Sequence, residues 1–389
     1  MNRTRKFWLQ FHLWLGLLFG AVFVLLGITG SLLVFRYEID EFLQPELLLT
    51  AGDGPRKSLS EIVALAETAH QPDVPPSHLY LPRTEQGVFE VSFNEPLPDG
   101  GTRNVQIAVD PYTGAHLGQR AWGESITTWI YDLHYTLRLG QGGETAVGIF
   151  GALLVLSLAT GLYLWWPEFR AKGRRALLYR RGASPARRNR DLHNVSGIYA
   201  LLLLLVVSAT GVYLVFSGFL RPALSQVASM TPRPEDLSSS HSERGVSIPA
   251  DRALEIGRNV FPAARPMYVE LPHGADGVYR INLRQPGEAY RSVGRSEVWV
   301  DQYTGEVLAA RNPRAFTVAD HLDEWMFPLH SGEGLGGLGR WLVFVSGFIP
   351  LVLYITGLRI WWRKRQGRRR RALNRTPRRH QLSHELSGS

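Results

Sequence analysis

Four of the twelve histidines recur in register along the chain, each at a fixed distance from a Thr-Gly pair. His12 and His193 each precede Thr-Gly by 17 residues, at Thr29-Gly30 and Thr210-Gly211. His134 and His330 each precede it by 26, at Thr160-Gly161 and Thr356-Gly357. Two neutral imidazoles facing each other across a helical bundle are the usual donor set for bis-axial, non-covalent haem b. The small Gly beside each Thr permits close approach of a neighbouring helix or a flat macrocycle. The chain has no Cys, which excludes disulfides, thiolate metal sites, Cys-held iron–sulfur clusters and covalent haem attachment.

Blander readings stand beside this one. A single His at a helix end is ordinarily an interfacial polar residue, and Thr-Gly alone is ordinarily a packing device. Retention of all four His in register favours ligation. Zinc or copper fits less well, because two His at a level leave the shell incomplete. His321 lies close before His330 and reads as surface polar, or as the edge of a cofactor or substrate pocket. The remaining His receive no role. Gly334-Leu-Gly-Gly-Leu-Gly339 satisfies G-x-G-x-x-G, but no strand precedes it and no acidic residue follows at the ribose-binding distance. It reads as a flexible joint.

The elements that must position these residues are four apolar segments long enough to span a bilayer. They run over Phe11–Phe35, Ala146–Trp166, Val195–Phe219 and Trp341–Trp362. The first has a basic start but too long a core and no A-x-A-like cleavage site, so it reads as a retained anchor. Of the 43 Lys and Arg residues, three fall in the first six positions, nine in 167–190 and ten from Arg363 onward. The positive-inside rule puts both termini and the middle loop in the cytoplasm. The net charge of +9 therefore reports topology, and a nucleic-acid partner is not expected.

Each outward segment reads as one helix followed by strands. Helices are expected over Leu59–Ala69 and Pro249–Phe261, the second after a polar linker at Ser238–Ser247. Strands are expected near Gly87–Asn94, Arg103–Val109, Val278–Arg284 and Ser296–Val300. Each strand set closes on a similar turn, Asp110-Pro-Tyr-Thr-Gly114 and Asp301-Gln-Tyr-Thr-Gly305. Longer self-similarity follows. Trp129-Ile-Tyr-Asp-Leu-His134 returns 196 residues later as Trp325-Met-Phe-Pro-Leu-His330, and that offset also carries Gly140, Gly143, Gly151 and Trp165-Trp166 onto like residues. An offset of 181 carries His12, Gly16, Thr29-Gly30 and Phe35 onto His193, Gly197, Thr210-Gly211 and Phe216. The unit is helix, outer domain, helix, present twice about an axis along the membrane normal.

The expected organisation is thus a cytoplasmic N-terminus with helix one (1–36), a first outer domain (37–125), and a His segment with helix two (126–166). A basic cytoplasmic loop (167–192), helix three (193–219) and a second outer domain (220–323) follow. A His segment with helix four (324–362) and a basic cytoplasmic tail (363–389) complete it. The fold class is membrane α-helical: a four-helix transmembrane bundle from a duplicated unit, with two α+β domains outside.

Two outer domains closing on D-x-Y-T-G, set among four helices with paired His and repeated Thr-Gly, resemble the PepSY-associated transmembrane family. The resemblance covers about Phe7 to Trp362, and within the family it is nearest the ferrisiderophore reductases, the pyoverdine-type ones among them. It implies a bacterial inner-membrane protein with PepSY domains in the periplasm and two b-type haems. His12, His193, His134 and His330 would be the axial ligands. The implied activity is reduction of Fe(III) in an imported siderophore, with release of Fe(II). One electron loosens such a complex, since hard oxygen donors hold Fe(II) far less well. The chain carries no flavin or nicotinamide domain, so electrons would come from a membrane quinol or a separate donor protein. The aromatics Trp122, Trp129, Tyr131, Tyr135 and Trp325 read as an interfacial belt or as a substrate rim. The alternative is a PepSY protein that binds or regulates a periplasmic peptidase or a siderophore-handling partner without redox activity.

Overall fold

The computed structural model describes residues 2–70, 73–98, 100–240 and 245–373. Most of the basic tail and the middle of the 238–247 linker lie outside the described residues. Two compact units are present. One is a helical bundle, formed by the chain to Ser31, from Gly148 to Val212 and from Phe344 onward. The other carries a sheet and the helices around it.

Among the described residues, four helical stretches are long and apolar enough to cross a membrane: Arg3–Val34, Gly140–Leu177, Pro185–Val215 and Glu333–Arg370. The first is α1 (Arg3–Val34), continued after a break at Phe35 by α2 (Arg36–Leu43) and the short α3 (Pro45–Leu48). The sequence placed the ends of helices one and three at Phe35 and Phe219. The structure ends both regular helices just before the repeat-related Phe35 and Phe216, whose dihedrals leave the helical region.

The sheet-bearing unit holds α4 (Leu59–Ala69), β1 (Pro76–Tyr80), β2 (Phe89–Pro96), β3 (Thr102–Val109), β4 (His116–Ala121) and α5 (Ile126–Thr136). Then come α6 (Gly140–Lys172), α7 (Pro185–Val215), α8 (Ser217–Ser225) and α9 (Ala250–Val260). The second strand set is β5 (Arg265–Glu270), β6 (Val278–Arg284), β7 (Ser296–Asp301) and β8 (Val307–Arg311). The chain ends through α10 (Val318–Ser331), α11 (Gly336–Ser346) and α12 (Ile349–Leu373). The single span expected at Trp341–Trp362 is therefore two helices, parted at Gly347-Phe348. Pro350 has no N–H to donate to the preceding turn.

The strands of the two expected α+β domains share one sheet. All eight strands join in one antiparallel sheet of order β4-β3-β2-β1-β5-β6-β7-β8. The seam is β1 on β5, with His78, Leu79 and Tyr80 opposite Glu270, Val269 and Tyr268. Alternation along the strands sends one set of side chains to a single core. In it Ile62 and Ala66 of α4 and Ala253 and Leu254 of α9 cover Leu79, Val91, Val269, Ile281 and Val298. The two helices also bind each other. Asp251 accepts the backbone N–H of Leu59 (2.7 Å) and of Ser60 (2.9 Å), capping α4 from the other half of the chain.

Both D-x-Y-T-G segments form the expected turns. Asp110 accepts from the N–H of Tyr112 and Thr113, and Asp301 from those of Tyr303 and Thr304. Gly114 and Gly305 take φ of +76° and +74°, which favours glycine.

Glycines mark the helix crossings of the bundle. A Cβ on Gly27 or on Gly347 would strike the other's carbonyl oxygen, so α1 and the α11–α12 joint meet backbone to backbone. Ser31 Oγ donates to Phe344 O across the same crossing (2.7 Å). Gly151 of α6 packs instead against a side chain, that of Val212 on α7, which a Cβ there would strike.

Candidate functional site: two histidine pairs

The bundle brings His12 of α1 and His193 of α7 together, with ring centroids 6.5 Å apart and ring planes at 85°. Both rings are held through Nδ1. His12 Nδ1 lies 3.1 Å from Ser157 O and 3.0 Å from Thr160 Oγ1, both on α6. His193 Nδ1 lies 2.9 Å from Thr356 Oγ1 on α12.

The hydroxyls settle the direction of these bonds. Thr160 already donates its hydrogen to Leu156 O (2.9 Å), and Thr356 donates to Val352 O (2.6 Å). Each threonine oxygen can then only accept, so the imidazole Nδ1 donates. A carbonyl such as Ser157 O likewise only accepts. Both rings are therefore the Nδ1–H tautomer, with the basic lone pair on Nε2, the arrangement that a ligating histidine adopts.

The glycines beside these threonines make room for the rings. A Cβ on Gly161 would stand 3.3 Å from His12 Cε1, and one on Gly357 would stand 3.6 Å from His193 Cε1. Thr160-Gly161 and Thr356-Gly357 thus orient and seat the two histidines. Thr29 and Thr210 are buried and donate to the carbonyls of Leu25 and Val206, one turn back on α1 and α7. Gly30 and Gly211 follow them in those helices.

The sheet-bearing unit brings together His134 and His330, with centroids 6.2 Å apart and planes at 48°. Each sits in the last turn of a short helix, α5 or α10. The starts of these helices are fixed by caps: Ser125 accepts from Thr128 N, and Thr317 forms a reciprocal capping box with Asp320. Their ends are fixed by left-handed residues, Leu137 after α5 and Gly332 after α10. The G-x-G-x-x-G run is a close-packed turn. Gly336 has φ of +64°, and a Cβ on Gly339 would strike Gly332 O. Gly143 meets Thr136 O in the same way at the start of α6.

Both spacings suit an iron between two imidazoles. Metal–nitrogen bonds of about 2 Å, with about 1.1 Å from each nitrogen to its ring centre, separate the centroids by about 6.2 Å. Among the described residues no cluster of three or more His, Asp or Glu could hold a metal ion.

His321 is exposed and stands on the wall of a cleft of about 250 Å³ with Tyr290, Arg295, Phe316, Glu324 and Trp325. Burial raises the Glu324 carboxyl above its ordinary range, opposed by Arg295 and Arg311. Several expected aromatics have specific partners: Trp122 Nε1 donates to Asp132 (3.0 Å), and Trp129 lies under Arg138. The sequence reading did not find Arg36, Tyr290 or Phe327. Phe327 was legible in principle, since the 196-residue repeat pairs it with Tyr131, and each lies one turn before its histidine. Arg36 had no such signal, because Ser217 stands at its repeat position.

Among the described residues, four membrane-length helices and one antiparallel sheet define a membrane protein, with a histidine pair in each of its two units. The chain belongs to the family described as PepSY-associated TM region, which matches residues 9–364. A search of curated proteins returned no match.

Proposed function

We propose that the chain is a di-haem b reductase of the bacterial inner membrane, built from a duplicated helix–PepSY domain–helix unit. It passes electrons from a membrane quinol or a separate donor protein to a ferric siderophore in the periplasm and releases Fe(II). The carrying observation is the tethering of both His12 and His193 through Nδ1, in a pair with ligation spacing. A structural histidine has no need of a partner that fixes its tautomer and leaves Nε2 unoccupied by that bond. Segregation of basic residues to both termini and the 167–190 loop supports a cytoplasmic side there and periplasmic outer domains.

When bound, the two haems supply one-electron couples within the protein. His12 and His193 would hold one through Nε2, and His134 and His330 the other. Thr160, Ser157 and Thr356 keep the first pair in the ligating tautomer. Gly161 and Gly357 keep the ring seats open. The acceptor iron gains one electron, Fe(III) becoming Fe(II), and its oxygen donors then bind it less tightly.

The deciding experiment is a reduced-minus-oxidised spectrum of purified protein with haem quantified. The expected result is a bis-His low-spin spectrum and about two haems per chain. A colourless protein from haem-replete cells would sink the proposal.

A further inference from the structure

The sheet-bearing unit contains a guanidinium that makes no ion pair among the described residues. Arg36 lies deep among protein atoms yet keeps partial solvent access. Among the described residues it makes no ion pair, and its hydrogen-bond partner is the neutral Tyr37 hydroxyl. Its guanidinium carbon stands 4.3 Å from the Tyr37 ring centre, 5.3 Å from that of Tyr131 and 6.0 Å from that of Trp122. Tyr290 and Tyr80 are within electrostatic range.

Other arginines of this unit show the contrast. Arg83 pairs with Glu41 (3.2 Å), Arg120 with Glu90 (2.9 Å) and Asp40, and Arg280 with Glu270 and Glu297. In the cleft beside His321, Arg295 is likewise committed to Glu324. Buried charge is ordinarily paired, because leaving it unpaired is costly. An unpaired guanidinium ringed by tyrosines is the arrangement of a site awaiting an anion.

The position of Arg36 ties it to the histidine pair of its unit. Tyr131 lies one turn before His134 on α5. Tyr290 stacks on Phe327 at 4.7 Å and 8°, and Phe327 lies one turn before His330 on α10. The aromatics around Arg36 thus lead to both histidines.

We propose that Arg36 is an anion-binding residue that receives an oxygen-anion group beside the His134–His330 pair. Its two possible sources follow from the function proposed above, on which this inference rests: an anionic Fe(III) chelate delivered for reduction, or a carboxylate of the haem held there. Tyr37 adds a hydroxyl donor, and Tyr131 adds a ring face for an aromatic ligand.

The test uses Arg36→Gln and Arg36→Lys in the full chain, with melting temperature confirming that both fold. Binding is measured with redox-inert gallium(III) citrate, which is anionic, and neutral gallium(III) tris-acetohydroxamate; haem content and midpoint potentials are measured in parallel. Weakening of gallium citrate binding by about tenfold or more in Arg36→Gln, with the neutral complex unaffected and partial recovery in Arg36→Lys, supports the chelate arm. Loss of one haem, or a shift of one midpoint with gallium binding unchanged, supports the carboxylate arm. If neither binding nor haem properties respond, the proposal is overturned, even where wild-type protein reduces iron. If the protein holds no haem but Arg36 governs gallium citrate binding, the reductase reading fails and the anion site stands.

Discussion

Thr356 Oγ1 stands 2.9 Å from His193 Nδ1 while its hydrogen is donated to Val352 O, so the threonine can only receive the imidazole's proton-bearing nitrogen. Thr160 stands in the same relation to His12. Replacing Thr356 with Val keeps the shape and the buried position but removes the acceptor. Loss of a partner of this kind ordinarily weakens metal binding about 10- to 100-fold. The expected outcome for Thr356→Val is weaker haem retention and a shifted midpoint at one centre, read by haem titration and potentiometry. Thr160→Val should act in the same direction at His12, and in both variants a backbone carbonyl, Ser157 O for His12 and Leu353 O for His193, remains to accept from the ring. Unchanged haem retention and midpoints in both variants would contradict this reading.

The glycine seats predict a graded response. A Cβ at Gly161 meets His12 at 3.3 Å, tighter than ordinary contact, whereas at Gly357 the distance to His193 is 3.6 Å. Gly357→Ala should therefore be accommodated, and Gly161→Ala should displace the His12 ring by a few tenths of an ångström. Larger side chains at either position should displace the ring outright, at a cost of about 1–3 kcal/mol. Haem occupancy and the low-spin spectrum of the Ala and Val variants check the order.

Local signals in the sequence carried much of this architecture. Helix α4 lies over Leu59–Ala69, where the apolar spacing placed it, and β2, β3, β6 and β7 fall within a few residues of the alternating runs. The acidic residue and glycine of D-x-Y-T-G specify their turns locally. Strands β1 and β5 carried no such signal. Each is short and contains proline, and pairing across the seam joins residues about 190 positions apart. That pairing is what turns two expected domains into one sheet. The edge strands β4 and β8 are short and weakly apolar, as edges tend to be. In the site, the periodic His and Thr-Gly were visible as a repeat. The assignment of Thr160 to His12, 148 residues away, depends on how α1 and α6 pack.

The two turn aspartates make stability depend on acid. Burial by itself would raise the Asp301 carboxyl, but the N–H groups of Ser240, Thr304 and Tyr303 outweigh it and hold it well below the ordinary range. Asp110 is lowered in the same sense by Thr113, Thr50 and Tyr112 against the effect of burial. A carboxyl depressed in the folded state adds stability above its unfolded value of about 4 and loses it as pH falls further. The full chain should therefore lose sheet stability below about pH 4. Asp301→Asn should remove part of that dependence and cost about 1.5–3 kcal/mol near neutrality. Thermal melts of the purified protein across pH 3–7 test both the direction and the flattening in the variant.

The bundle crossing gives the sharpest steric prediction, because α1 contains two glycines in opposite situations. Gly16 on α1 has open space where a Cβ would sit, and alanine there should add about 0.5–1 kcal/mol through helix propensity. Gly27, three turns further along the same helix, has the Gly347 carbonyl oxygen in that place. Alanine at Gly27 must push α1 away from the α11–α12 joint, which also pulls Ser31 Oγ from Phe344 O. A membrane helix gains little from apolar burial alone and depends on close contact at such points. The expected result is a melting temperature in detergent unchanged or higher for Gly16→Ala and clearly lower for Gly27→Ala. Gly347→Ala should resemble Gly27→Ala, since it meets the same crossing from the other side.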